Sequence, residues 1–235
     1  MGEKALNALH PCELLRTIDS LCEPDVRNGY FSRFDSIIGN FRPGTAAEHL
    51  EDVALFTLSI DVPESIRIHF ETAKNLYAYA WFVYRFYPVA EQQALTSLEF
   101  ALREWLAVRV GQSLLVRAKP PRGLSKLLQE ALKRGAISND RFSWSRERAL
   151  QRARHRAELQ QLQEIQRLGL TTIQVDYSNV EPSPEDFDDW IGIFIDTLPK
   201  IRNEYAHGSH VLHNTVSRTF EIVSELINQL FVPAQ

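Results

Sequence analysis

The feature that most limits what this chain can become is the step at which its apolar residues recur. Ile191, Phe194, Leu198, Ile201 and Tyr205, with Trp190 leading, return at the three- and four-residue intervals that line one face of an α-helix. Val211, Val216, Phe220, Val223, Leu226, Ile227 and Leu230 carry the same period onward. Upstream, Ile66, Phe70, Ala73, Leu76, Tyr77, Ala80, Trp81 and Tyr84 share one side of a segment that Pro63 opens and that runs to about residue 86. Leu95, Leu98, Leu102, Trp105 and Leu106 do the same over about 89–110, and Ser125 can cap a shorter helix, 126–134, stopped by Gly135. The chain therefore reads as all-α. Four of these helices, over about 89–110 and 126–134 and on either side of residues 202–208, suffice for a compact bundle.

Punctuation divides the chain. Residues 1–62 read as a helical, turn-rich extension: a short helix over 11–21, then turns at Pro24, Asn28-Gly29, Gly39-Asn40 and Pro43-Gly44. Within it, 53–62 fits strand or helix on pattern alone. Residues 63–235 read as the bundle, interrupted by an insertion over about 137–182. Lys119-Pro120-Pro121-Arg122-Gly123 is a loop. Ser183 is placed to cap the helix that follows, with Pro184 at its first position, Glu185 and Asp186 at its positive end, and Gly208 as its stop.

The insertion is rich in arginine. Arg146, Arg148, Arg152, Arg154 and Arg156 outweigh a thin apolar stripe, so the segment is either a phosphate-contacting arm or a solvated helix. Ile173, Val175 and Tyr177 alternate as in a short strand or an extended connection, and the acidic run from Asp176 to Asp189 fits a metal site less well than a role in balancing the arginines and favouring the helix start. The aromatics from Tyr77 to Tyr87 fit a helix core better than a base-stacking platform.

A net charge of −4 excludes bulk basicity as the means of holding nucleic acid, so any such contact must be a local patch. Cys12 and Cys22 have no partners at metal-ligand spacing and read as reduced thiols. The first 30 residues carry charges without an apolar stretch, and Arg85 and Pro88 interrupt the most apolar run. A cytoplasmic protein without a membrane segment is expected.

Chemistry concentrates at Arg202-Asn203-Glu204-Tyr205-Ala206-His207-Gly208, where the two C-terminal helices meet. A guanidinium stabilises charge on phosphate oxygens, and an imidazole exchanges protons near neutral pH. On an unbroken helix, side chains five positions apart diverge by about 140°, so Arg202 and His207 converge only if the helix frays or a second protomer supplies the partner. Glu99, Arg103 and Glu104 are either surface pairs or a group that orients Arg202. His207, His210 and His213 lack an accompanying carboxylate at metal-ligand spacing, so no metal is expected.

This stretch resembles the signature of the HEPN domains, all-α bundles marked by Arg, a polar residue and a His a few positions on, and the likeness extends over about 88–135 and 184–232. The resemblance implies a HEPN-like bundle and a metal-independent endoribonuclease without a cofactor, acting as a homodimer on RNA through Arg202, Asn203 and His207. Attack of the ribose 2′-OH on its own phosphate would leave a 2′,3′-cyclic phosphate. The family also holds members that only bind, so a catalytically inactive RNA- or protein-binding regulatory module is the alternative. A toxin-like role in defence, with an antitoxin or regulatory protein as partner, is a third reading.

Overall fold

The computed structural model describes residues 9, 11–111, 121–169, 177–206 and 216–232. Among them are seven α-helices and one two-stranded hairpin, which makes the chain all-α apart from that hairpin. Strands β1 (Ser32–Asp35) and β2 (Asn40–Pro43) pair antiparallel, Ser32 opposite Pro43 and Asp35 opposite Asn40. The helices are α1 (Ala46–Ala54), α2 (Glu64–Tyr79), α3 (Phe86–Gly111), α4 (Leu124–Lys133), α5 (Ser143–Leu168), α6 (Trp190–Ala206) and α7 (Ser217–Phe231). They belong to two compact units, residues 1–100 with 201–224, and residues 101–200 with 225–235.

In the first unit, α1 begins at a capping box in which Thr45 and Glu48 satisfy each other's backbone N–H groups. Ile66, Phe70, Ala73 and Tyr77 form the buried stripe of α2. That helix stops at Tyr79, earlier than its apolar period predicts, and the cause lies far away in sequence. The Asn28 side-chain amide donates to the carbonyl of Trp81 at 2.7 Å, and the backbone N–H of Asp25 donates to it at 3.0 Å. Arg16 takes the carbonyl of Phe82 at 2.7 Å. Carbonyls that would have continued the helix are already satisfied by the 16–28 segment. Pro88 sits in the first turn of α3, where a missing N–H costs nothing.

The expected helix over 11–21 is reduced to a 3-10 turn at Pro11–Glu13, because so short a helix is marginal unless packing supports it. The ambiguous 53–62 stretch is the end of α1 followed by irregular chain.

In the second unit, α4 begins at Gly123, whose φ of 87° suits glycine, so Ser125 lies inside the helix rather than capping it. Leu124, Leu127, Leu128 and Ala131 are its buried face. The arginine-rich segment forms one 26-residue helix, α5, whose only buried residues are Ser145, Ala149 and Ala153. Ser143 at its start is bonded to Glu225 of α7, and Asn139 ties the chain to the beginning of α6 by accepting from the Ile191 N–H at 2.9 Å.

Ser183 and Asp186 do form a capping box, but it closes a 3-10 turn, Pro184–Asp186, and α6 starts later, at Trp190. Ile191, Phe194, Ile195 and Leu198 are its buried face. Of the expected strand or extended connection over 170–180, residues 170–176 lie outside the described residues and 177–180 are irregular.

Candidate functional site

Arg202 and Tyr205 are three residues apart and share a face of α6. Two buried carboxylates of α3 meet them. Arg202 lies 3.3 Å from Glu99, whose side chain is 8% exposed against 37% for the arginine. Tyr205 donates to Glu91 at 2.8 Å, and the Thr219 hydroxyl of α7 donates to the other oxygen of the same carboxylate. Glu91 thus joins α3, α6 and α7 within the first unit. Burial and the bond to Glu91 raise the Tyr205 pKa, so its hydroxyl stays protonated and remains a donor.

Arg202 also donates to the Asn203 side-chain oxygen at 3.2 Å, while Asn203 itself is exposed. A guanidinium has five N–H donors in a planar fork. With Glu99 on one side and Asn203 beside it, Arg202 is held in orientation with more than a third of its side chain facing solvent. The carboxamide of Asn203, its oxygen accepting from Arg202, keeps an amino group as a further donor. Such a pair suits an oxyanion. Glu99 also offsets part of the arginine's charge, so what the pair offers is aimed hydrogen bonds rather than a strong local field.

Among the candidates Glu99, Arg103 and Glu104, it is Glu99 that reaches Arg202, and Arg103 and Glu104 are exposed. Glu91 and the hydroxyls of Tyr205 and Thr219 are members of the cluster that the motif alone does not reveal. A signal was present: Glu91 and Glu99 flank Leu95 at four-residue steps, so both fall on the apolar face of α3. His207, with Gly208, His210 and His213, lies outside the described residues. No group of His, Cys, Asp and Glu able to hold a metal occurs among the described residues.

Of the five arginines singled out on α5, Arg146, Arg148, Arg152 and Arg154 are exposed and Arg156 is half-buried. Arg152 is paired to Asp188 at 2.7 Å, and Arg156 to Asp186 at 2.6 Å. Arg148 lies over the Trp190 ring and Arg154 over that of Tyr177. The acidic stretch before α6 therefore neutralises two of the five directly. Arg148, Arg152 and Arg156 line an open groove of about 480 Å³ with His155. No described helix is long and apolar enough to cross a membrane.

No protein-family model, no curated protein and no solved structure matches this chain.

Proposed function

We propose that the chain is a metal-independent endoribonuclease of HEPN type, acting through Arg202, Asn203 and His207. The observation that supports this reading best is the anchoring of Arg202 by Glu99 with Asn203 alongside, a partly exposed donor array on the motif's own helix. In the proposed reaction the ribose 2′-OH attacks the adjacent phosphorus, the bond to the 5′ oxygen breaks, and that oxygen takes up a proton. His207 serves as the general base or acid, and Arg202 and Asn203 bind the non-bridging oxygens of the phosphorane. The products are a 2′,3′-cyclic phosphate and a 5′-hydroxyl. A homodimer would let each motif meet its counterpart, and an antitoxin or regulatory protein would restrain it.

Incubation of the purified protein with mixed RNA in EDTA tests the proposal. Cleavage with cyclic-phosphate ends, abolished by His207→Ala and by Arg202→Ala, is the expected result. Cleavage that requires added metal, or that survives both substitutions, refutes it. One observation favours a second reading, a regulatory module that binds without cutting: the pairing of Arg202 with buried Glu99 also serves to fix the helix end. RNA retained intact on the wild-type protein, with binding lost in Arg202→Ala, is the mark of that module.

A further inference from the structure

The first unit contains a second site. A cavity of about 440 Å³ is walled by rings, among them Phe31, His49, Tyr77 and Trp81, with Arg33 and Asp52 also lining it. That volume falls within the range of small-molecule sites, and the lining is of the usual kind, apolar surfaces with a few polar groups. The His49 ring packs at 5.1 Å from Tyr77 and 5.6 Å from Trp81. Its Nε2 is 2.8 Å from the Tyr77 carbonyl oxygen, which only accepts, so Nε2 carries the hydrogen and Nδ1 is left as an acceptor. Burial lowers the His49 pKa, which favours the neutral ring.

Arg33 and Asp52 form an ion pair, each with about two-fifths of its side chain exposed, 41% and 44%. The pair carries no net charge, so it does not select an anion. The carboxylate can still accept two neighbouring hydroxyls, as acidic groups do from ribose.

We propose that this cavity binds a nucleoside, the base lying against the aromatic wall with its exocyclic amine donating to His49 Nδ1, and the ribose 2′- and 3′-hydroxyls donating to Asp52. The site shares no residue with Arg202 and Asn203, and it does not depend on the ribonuclease reading.

Titration calorimetry of the full chain with adenosine tests this. The expected result is saturable binding that weakens about tenfold or more when 2′,3′-dideoxyadenosine replaces adenosine, and likewise in Asp52→Asn. Gly44→Val supplies a variant that places a side chain on the cavity wall. A Cβ there meets Phe31 O at 3.8 Å and the Trp81 ring at 3.9 Å, ordinary contact distances, so the branched side chain should crowd the aromatic wall and weaken binding while leaving the circular dichroism spectrum unchanged. The dideoxy comparison uses the unaltered protein, so it stands even if a variant fails to fold. No heat with adenosine at about 1 mM, or equal affinity for the dideoxy compound, overturns the proposal.

Discussion

Arg202 of α6 rests 3.3 Å from Glu99 of α3, an exposed-side guanidinium held by a carboxylate that is almost wholly buried. Removing either partner has unequal consequences. Arg202→Ala takes a cation from a buried carboxylate and should destabilise the fold by about 1–3 kcal/mol, read as a lower urea midpoint. Glu99→Gln keeps the volume and removes the charge. It should cost less stability, yet free the arginine to reorient, lowering kcat more than it raises KM if Arg202 acts on the transition state.

The hydroxyls of Tyr205 and Thr219 share the carboxylate of Glu91. Tyr205→Phe and Thr219→Val should each destabilise by about 1–2 kcal/mol. In combination their effects should depart from additivity by about 0.5 kcal/mol or more, because both act on one buried group. Denaturant curves of the two single variants and the double variant measure this directly. Strict additivity would show that Glu91 does not couple them.

Arginines of α5 should separate into two groups. Arg146 and Arg154 are exposed, whereas Arg156 is tied to Asp186. If α5 contacts RNA, Arg146→Ala should weaken binding and reduce the slope of log affinity against log salt by about 0.7 per lost single-strand contact. Arg156→Ala should instead lower the melting temperature. An unchanged salt slope in Arg146→Ala would remove that residue from any RNA interface.

Acid should loosen the junction between β2 and α1 progressively as pH falls below about 4.5. Bonds from Arg42, then the Thr45 hydroxyl, hold Glu48 at a pKa of about 2 against its ordinary 4.5. The folded value is depressed, so the stabilisation is fully present above about 4.5 and is lost as pH falls through that interval toward 2. Carboxyl NMR titration should place the Glu48 midpoint near 2 and return it toward 4.5 in Arg42→Ala.

Much of this architecture is legible in the order of the residues alone. The apolar face of α2, the stripe Phe220, Val223, Leu226, Ile227 and Leu230 in α7 with Val216 just before it, and the helical nature of the arginine-rich segment all follow from local period. Boundaries are less legible, for identifiable reasons. The aromatics Tyr77, Trp81, Tyr84 and Tyr87 are buried as a core reading requires, yet they belong to two helices and a turn rather than one continuous helix. Ser183 carries the chemistry of a cap but spends it on a single 3-10 turn. Pro199, inside α6, leaves the carbonyl of Ile195 without its helical donor, and the period of the apolar face gives no sign of it.

Sequence alone determined that this is a helical protein and where its one constellation of arginine, asparagine and histidine stands, because helix period and motif spacing are properties of neighbouring residues. Tertiary structure alone decided that Glu99 anchors Arg202, that Glu91 gathers Tyr205 and Thr219, and that α2 ends where Asn28 and Asp25 claim the Trp81 carbonyl. Each of those outcomes joins groups 50 or more positions apart. A buried charge or an unmade backbone bond must find a partner somewhere, and only the folded chain specifies which one is within reach.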